Sequence, residues 1–268
     1  MKKFIKSSAA GLVFACSLLG ANQAMAESDL EGVLSSGELK VCFDAGYMPF
    51  EMKTKDGRFI GFDIDLGKHM ARSMGVKFTP VNTAWDGIIP ALQTNKCDII
   101  MGGMTITPER NLKVNFADPY IVIGQSIIFS PALEGKIKSY TDLNDPKYTV
   151  STKLGTTGVE AAKKHLFNAK VDLYDTEVDA VLQVVNGKAD AFVYDFPYNA
   201  IYAAQNKGKV AHLAEPFTYE PLGWAIRQDD PNFLNFLNNY LRQIKGDGTY
   251  DRMYDKWFKS DDWLKDVQ

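Results

Sequence analysis

The sequence is poor in the residues that build metal and redox centres. It has three cysteines and three histidines in 268 residues. His69, His165 and His212 are scattered and far from any cysteine pair, so no metal or other cofactor is expected. An excess of positive charge is also missing, with 30 basic against 33 acidic residues. That balance argues against nucleic acid as a partner. Long apolar runs are absent beyond the first residues, and no later segment could span a bilayer.

What is present begins with Met1-Lys2-Lys3-Phe4-Ile5-Lys6, a short apolar core from about Ala9 to Gly20, and Ala24-Met25-Ala26 before Glu27. A basic start, a short apolar core and a small-x-small end describe a secretory signal peptide over residues 1–26. Export to the periplasm is therefore expected. A lipoprotein anchored at Cys16 is disfavoured, because Phe14 stands where such signals carry a small residue. Cleavage after residue 26 would remove Lys2, Lys3 and Lys6 and no acid, leaving a net charge of −6. Such a chain suits a freely diffusing monomer. Cys42 and Cys97 would remain. Export permits a disulfide, but nothing in their spacing demands one, so two buried free thiols are expected.

Strands and helices alternate along the chain. Leu39–Phe43, Val76–Val81 and Asp98-Ile99-Ile100 read as strands, with a turn at Lys55–Arg58 and a helix from Phe62. A second unit follows: strands at Ser126–Phe129, Tyr148–Thr152 and Ala191–Tyr194, and helices at Val159–His165 and Glu177–Asn186. The latter helix carries an apolar stripe of Val178, Val181, Leu182 and Val185, with Thr176 as N-cap and Gly187 as stop. Phe217–Arg227 reads as an extended return, then helices cover Asn232–Ile244 and Thr249–Phe258. This alternation predicts an α/β fold of two open α/β sheets. The two lobes would be joined by a two-strand hinge near Tyr120–Gly124 and Thr218–Leu222. The expected division is 27–121 for the first part of lobe 1, 122–219 for lobe 2 and 220–268 for the rest of lobe 1.

The strand Asp98–Ile100 runs into Met101-Gly102-Gly103-Met104-Thr105-Ile106-Thr107-Pro108-Glu109-Arg110. Glycines allow close backbone approach, threonines add hydroxyls, and arginine binds a carboxylate through paired hydrogen bonds. One reading is a carboxylate site at a strand's carboxyl end, where open α/β sheets bind ligands. The other is a polar turn before a surface helix. Gly155-Thr156-Thr157-Gly158 before a helix is a possible anion site or an ordinary helix start. Asp195 is a possible ammonium ligand or a turn residue before Pro197. In combination they describe a receptor for the zwitterionic end of an α-amino acid.

The chain resembles periplasmic substrate-binding proteins of the polar amino acid family, the solute receptors of ATP-driven importers, from about Leu39 to Phe258. The resemblance rests on Pro49-Phe50-Glu51, Gly61–Leu66, Trp85–Leu92, Met104–Arg110, Ala189-Asp190-Ala191 with Tyr194-Asp195, and Gly248-Thr249-Tyr250 with Lys256-Trp257-Phe258. It implies a type II periplasmic binding protein fold that closes by a hinge around its ligand and docks on the membrane permease subunits of an ABC importer. It also implies site roles. Arg110, with Gly103, Met104 and Thr105, would hold the α-carboxylate, reinforced by Thr156 and Thr157. Asp195, beside Tyr194, would hold the α-ammonium. Asp44, Tyr47, Trp85 and Lys153 would choose the side chain.

Asp44 accepts and Lys153 donates, which together suit an uncharged amide. Glutamine is therefore the expected ligand, with cationic amino acids, acidic amino acids and cystine as alternatives. A cyclohexadienyl dehydratase-like enzyme on the same scaffold is the rival of another class. It needs an acid free to act in the cleft, and only Asp44 is expected to be unassigned. A ligand-sensing partner of a signalling protein is a third possibility.

Overall fold

The computed structural model describes residues 28–267. The expected signal peptide, 1–26, and Cys16 lie outside the described residues. Two five-stranded sheets form the two halves of the molecule. The first has the order Lys77–Asn82, Glu38–Phe43, Ile99–Ile100, Ala225–Ile226, Asn115–Phe116. Its first three strands are parallel, and Ala225–Ile226 runs against its neighbours on both sides. The second has the order Lys170–Tyr174, Thr149–Lys153, Ala191–Asp195, Gln125–Phe129, Ala211–Leu213. Again the first three are parallel and Gln125–Phe129 is antiparallel to both neighbours.

These strands form because their residues are apolar enough to be covered on both faces, as parallel strands must be. Leu39, Val41, Phe43, Ile99 and Ile100 are fully buried in the first sheet. Val150, Ala191, Phe192, Val193 and Ile128 are fully buried in the second. Between the sheets the chain crosses twice, as Ile121–Ile123 and Glu220–Leu222, which pair antiparallel into a ribbon. The C-terminal helices cover the first sheet. Pro231–Gly246 buries Phe233, Leu237, Tyr240, Leu241 and Ile244 at helical spacing. From Thr249–Phe258, Phe258 packs edge-on against Phe62 and Phe50. Fully burying a side chain such as Phe62 stabilises by roughly 1.5–3 kcal/mol.

Four findings differ from the expectations. Cys42 and Cys97 form a disulfide, with Cα atoms 5.7 Å apart. Their separation of 55 residues carried no hint of this, but pairing of Glu38–Phe43 with Ile99–Ile100 brings them side by side. The helix Glu177–Val185 buries Glu177, Ala180, Val181 and Val184, while Val178 is 45% and Leu182 37% exposed. Its buried face therefore keeps Val181 of the expected stripe but is rotated to take in Ala180, Val184 and the Glu177 carboxylate instead of Val178 and Leu182. A helix, Phe196–Gln205, follows Asp195 where only a turn is expected, with Pro197 in its first turn. Proline fits there because the first helical N–H groups have no intrahelical partner. The strand Lys170–Tyr174 and the helix Asp29–Ser36 are also additional to the sequence reading.

Candidate functional site

Four strands deliver their carboxyl ends to one cleft between the sheets. Glu38–Phe43 delivers Asp44 and Tyr47; Ile99–Ile100 delivers Gly103 and Thr105. From the other side, Thr149–Lys153 delivers Lys153, Thr156 and Thr157, and Ala191–Asp195 delivers Tyr194 and Asp195. Trp85 and Arg110 complete the wall. Of the residues expected at the site, Met104 alone is not on this wall. Its side chain is 1% exposed and packs with Ile88, Leu92 and Ile100.

Arg110 lies in the short helix Pro108–Asn111, capped by the Thr107 hydroxyl, which accepts from the Arg110 N–H at 3.2 Å. Its guanidinium donates to the Thr105 carbonyl at 2.9 Å and, across the cleft, to the Gly155 carbonyl at 3.1 Å. The Trp85 ring lies 5.5 Å from it. Burial lowers the Arg110 pKa, and nearby Asp195 offsets this only in part. Thr105 and Thr157 face each other, Oγ1 to Oγ1, at 3.4 Å.

Gly103 stands behind them with φ 62°, and a Cβ there would lie 2.2 Å from the Tyr47 ring. Only glycine fits both that conformation and that approach. Its N–H donates to Asp63 Oδ2 at 2.9 Å, and the same oxygen accepts from the Tyr120 hydroxyl at 2.8 Å. Burial pushes the Asp63 carboxyl up to about 7.

Asp195 accepts from the Tyr47 hydroxyl and from Gln125 Nε2. Burial pushes its carboxyl up to about 7 against the pull of the Tyr47 hydrogen bond. Gln125 also reaches Thr157 Oγ1 at 3.3 Å. Thr156 donates to the Lys153 carbonyl at 2.8 Å.

At the far end, the Lys153 ammonium is 2.7 Å from Asp44 Oδ2 and 2.8 Å from Glu177 Oε2. The Lys153 side chain is only 2% exposed. Burial pulls its pKa down, but Glu177 and Asp44 outweigh this and the net shift is upward. Trp85 donates from its backbone N–H to Asp44 and from its indole to the Gly155 carbonyl, at 3.2 and 2.9 Å. Tyr47–Asp195, Asp44–Lys153, Trp85–Gly155 and Arg110–Gly155 all join one half to the other, so the two halves meet across the cleft.

Two residues of this end escaped the sequence reading as site residues. Glu51 lines the cleft, is 1% exposed, and has an oxygen, Oε2, without a hydrogen-bond partner. Burial, then Asp63 and Asp44, push its carboxyl well above the usual range. This corrects the expectation that Asp44 is the only unassigned acid. The Pro49-Phe50-Glu51 motif was visible, but not that its acid turns inward. Glu177 read simply as a helix start, and no local signal ties it to Lys153.

Over residues 39–260 the chain matches the family of bacterial extracellular solute-binding proteins, family 3. The chain belongs to this family. It has the two-lobed α/β periplasmic binding protein fold of its structural relatives. One is a putative binding component of an ABC transporter from Wolinella succinogenes DSM 1740, complexed with lysine. It is 54% identical, covers 85% of this chain and 99% of its own, and has a TM-score of 0.82. A second is the ancestral amino acid-binding protein AncCDT-1, described as a precursor of cyclohexadienyl dehydratase. It is 51% identical, covers 86% and 100%, and also has a TM-score of 0.82. Among curated relatives, the L-cystine-binding protein TcyJ of Escherichia coli (strain K12) is 28% identical over 88% of each chain. The family resemblance read from the sequence therefore holds across nearly the whole described chain.

Proposed function

We propose that this family 3 protein is an exported receptor for a cationic L-amino acid, lysine- or arginine-like, which it delivers to the permease subunits of an ABC importer. Arg110, with Thr105 and Thr157, would take the α-carboxylate through charge-assisted hydrogen bonds. Asp195 would take the α-ammonium. The ligand's stem would lie against Tyr47 and Trp85, with its cationic tip toward Glu51 and Asp44.

The observation that carries the choice of a cation is the state of Lys153. The expectation of glutamine rested on Asp44 and Lys153 presenting one acceptor and one free donor. Here the ammonium lies between Asp44 and Glu177 at 2.7 and 2.8 Å. Glu51 adds a buried carboxyl with an unpaired oxygen, whose charged form a cation would favour. The far end thus has more negative than positive charge, and a neutral amide would leave that excess unanswered. The lysine complex of the 54% identical Wolinella protein supports the same reading.

Calorimetric titration with lysine, arginine, glutamine, glutamate and cystine tests it. Lysine or arginine should bind at least tenfold more tightly than glutamine. Tighter binding of glutamine would overturn the choice. Arg110→Ala should weaken any amino acid by a hundredfold or more with an unchanged circular dichroism spectrum. Retained affinity would place the carboxylate elsewhere.

One observation favours a second reading, an enzyme of the dehydratase kind. Glu51 is a buried carboxyl on the cleft wall whose raised pKa would suit a general acid. Turnover of prephenate or arogenate would establish it. Lysine binding without turnover would leave Glu51 as the cation's acceptor.

A further inference from the structure

Glu177 is a buried carboxylate, 2% exposed, that does not line the cleft. It opens the helix Glu177–Val185, where the positive end of the helix dipole favours an anion. One oxygen is 2.8 Å from the Lys153 ammonium. The other points at Gly46 in the opposite half, where an added Cβ would lie 2.3 Å from it. The carboxylate thus sits against the Asp44–Tyr47 turn and shares the Lys153 ammonium with Asp44.

We infer that Glu177 is a specificity-determining residue that selects the charge of the ligand's side chain without touching it, by cancelling the ammonium of Lys153. This rests on the cationic-ligand reading above. Asp44 and Lys153 alone sum to zero and would suit a neutral amide. With Glu177 the three carry a net negative charge, because two carboxylates share one ammonium. Without the charge on Glu177, Lys153 would meet the ligand's cationic tip as a like charge inside a water-poor cleft. There such repulsion is weakly screened and decides affinity. Glu177 therefore acts as a positioning and charge-setting partner of Lys153, and a lysine that alone would repel a cation is made compatible with one.

The test is the ratio of lysine to glutamine affinity, by calorimetry, in the intact exported chain. Glu177→Gln keeps the shape and a hydrogen-bond acceptor for Lys153 but removes the charge. It should lower the ratio at least tenfold, chiefly through lysine. Glu177→Asp keeps the charge and should restore most of the ratio. Lys153→Gln removes the repelling cation and should raise the ratio about tenfold. A purely structural role would weaken both ligands together and leave the ratio unmoved. An unchanged ratio in Glu177→Gln would overturn the inference; if that variant fails to fold, an unchanged or lowered ratio in Lys153→Gln would do so. Failure of the unmodified protein to prefer lysine would instead overturn the cationic reading beneath it.

Discussion

At the residue scale, the unpaired acid of the cleft has a thermodynamic consequence. Glu51 holds its proton more tightly than an exposed glutamate because it is buried and lies near Asp63 and Asp44. A cation placed beside it favours the charged form. Binding a cationic amino acid should therefore expel a proton from Glu51, and by linkage affinity should rise as pH rises. Asp195, pushed up to about 7, should act the same way on the α-ammonium. Titrations between pH 5 and pH 8 should show stronger lysine binding at the higher pH, with heats that vary with the ionisation enthalpy of the buffer. Glu51→Gln should weaken lysine tenfold or more and reduce the proton release. Buffer-independent heats would show that neither carboxyl changes its protonation.

At the element scale, the turn after Ile99–Ile100 combines two demands at Gly103: a left-handed backbone and room for the Tyr47 ring. Gly103→Ala should lower thermal stability by about 1 kcal/mol or more and weaken binding together, as Tyr47 moves off Asp195. Unchanged melting and affinity would show that the turn relaxes without cost. The same turn was legible in the sequence only in part, since two glycines, two threonines and an arginine after an apolar strand read equally as a carboxylate site or as a polar turn before a surface helix. Helices with one clean apolar face were legible too: Thr249–Phe258 has the expected bounds. Phe196–Gln205 was not, because a proline two residues after a strand end reads as a turn as readily as the first turn of a helix. Nor was the inner face of Glu177–Val185. Hydrophobicity placed Val178 and Leu182 inside, whereas the ion pair with Lys153 turns Glu177 inward and leaves them exposed.

At the scale of the whole molecule, two terms bear on stability. The Cys42–Cys97 disulfide closes a loop of 55 residues, and loop-closure entropy alone makes it worth roughly 4 kcal/mol. Cys42→Ser with Cys97→Ser should shift the denaturant midpoint downward accordingly. An unmoved midpoint would show that the unfolded chain gains little freedom from the missing bond.

The second term is the pair of buried carboxyls, Asp63 and Asp195, each at about 7 in the folded chain against about 4 when unfolded. Between these values the folded state binds more protons, so their contribution is fully present below pH 4 and is lost as pH rises through 7. The ligand-free protein should melt at a lower temperature at pH 8 than at pH 5, and Asp63→Asn should flatten that slope. A melting temperature that rises over this range would show that other groups dominate.

The sequence by itself determined the alternation of strands and helices, the family, and most of the cleft wall, because each is written in local patterns: apolar runs, turn residues and motifs at strand ends. Only the tertiary structure decided what those residues meet. It joined Cys42 to Cys97 through strand pairing, turned Glu51 into the cleft, and set Glu177 beside Lys153 across 24 positions of chain. Charge balance at a buried site is a sum over residues distant in sequence. A donor and an acceptor read as a neutral pair along the chain thus become, once folded, part of a cluster with a second carboxylate on the same ammonium.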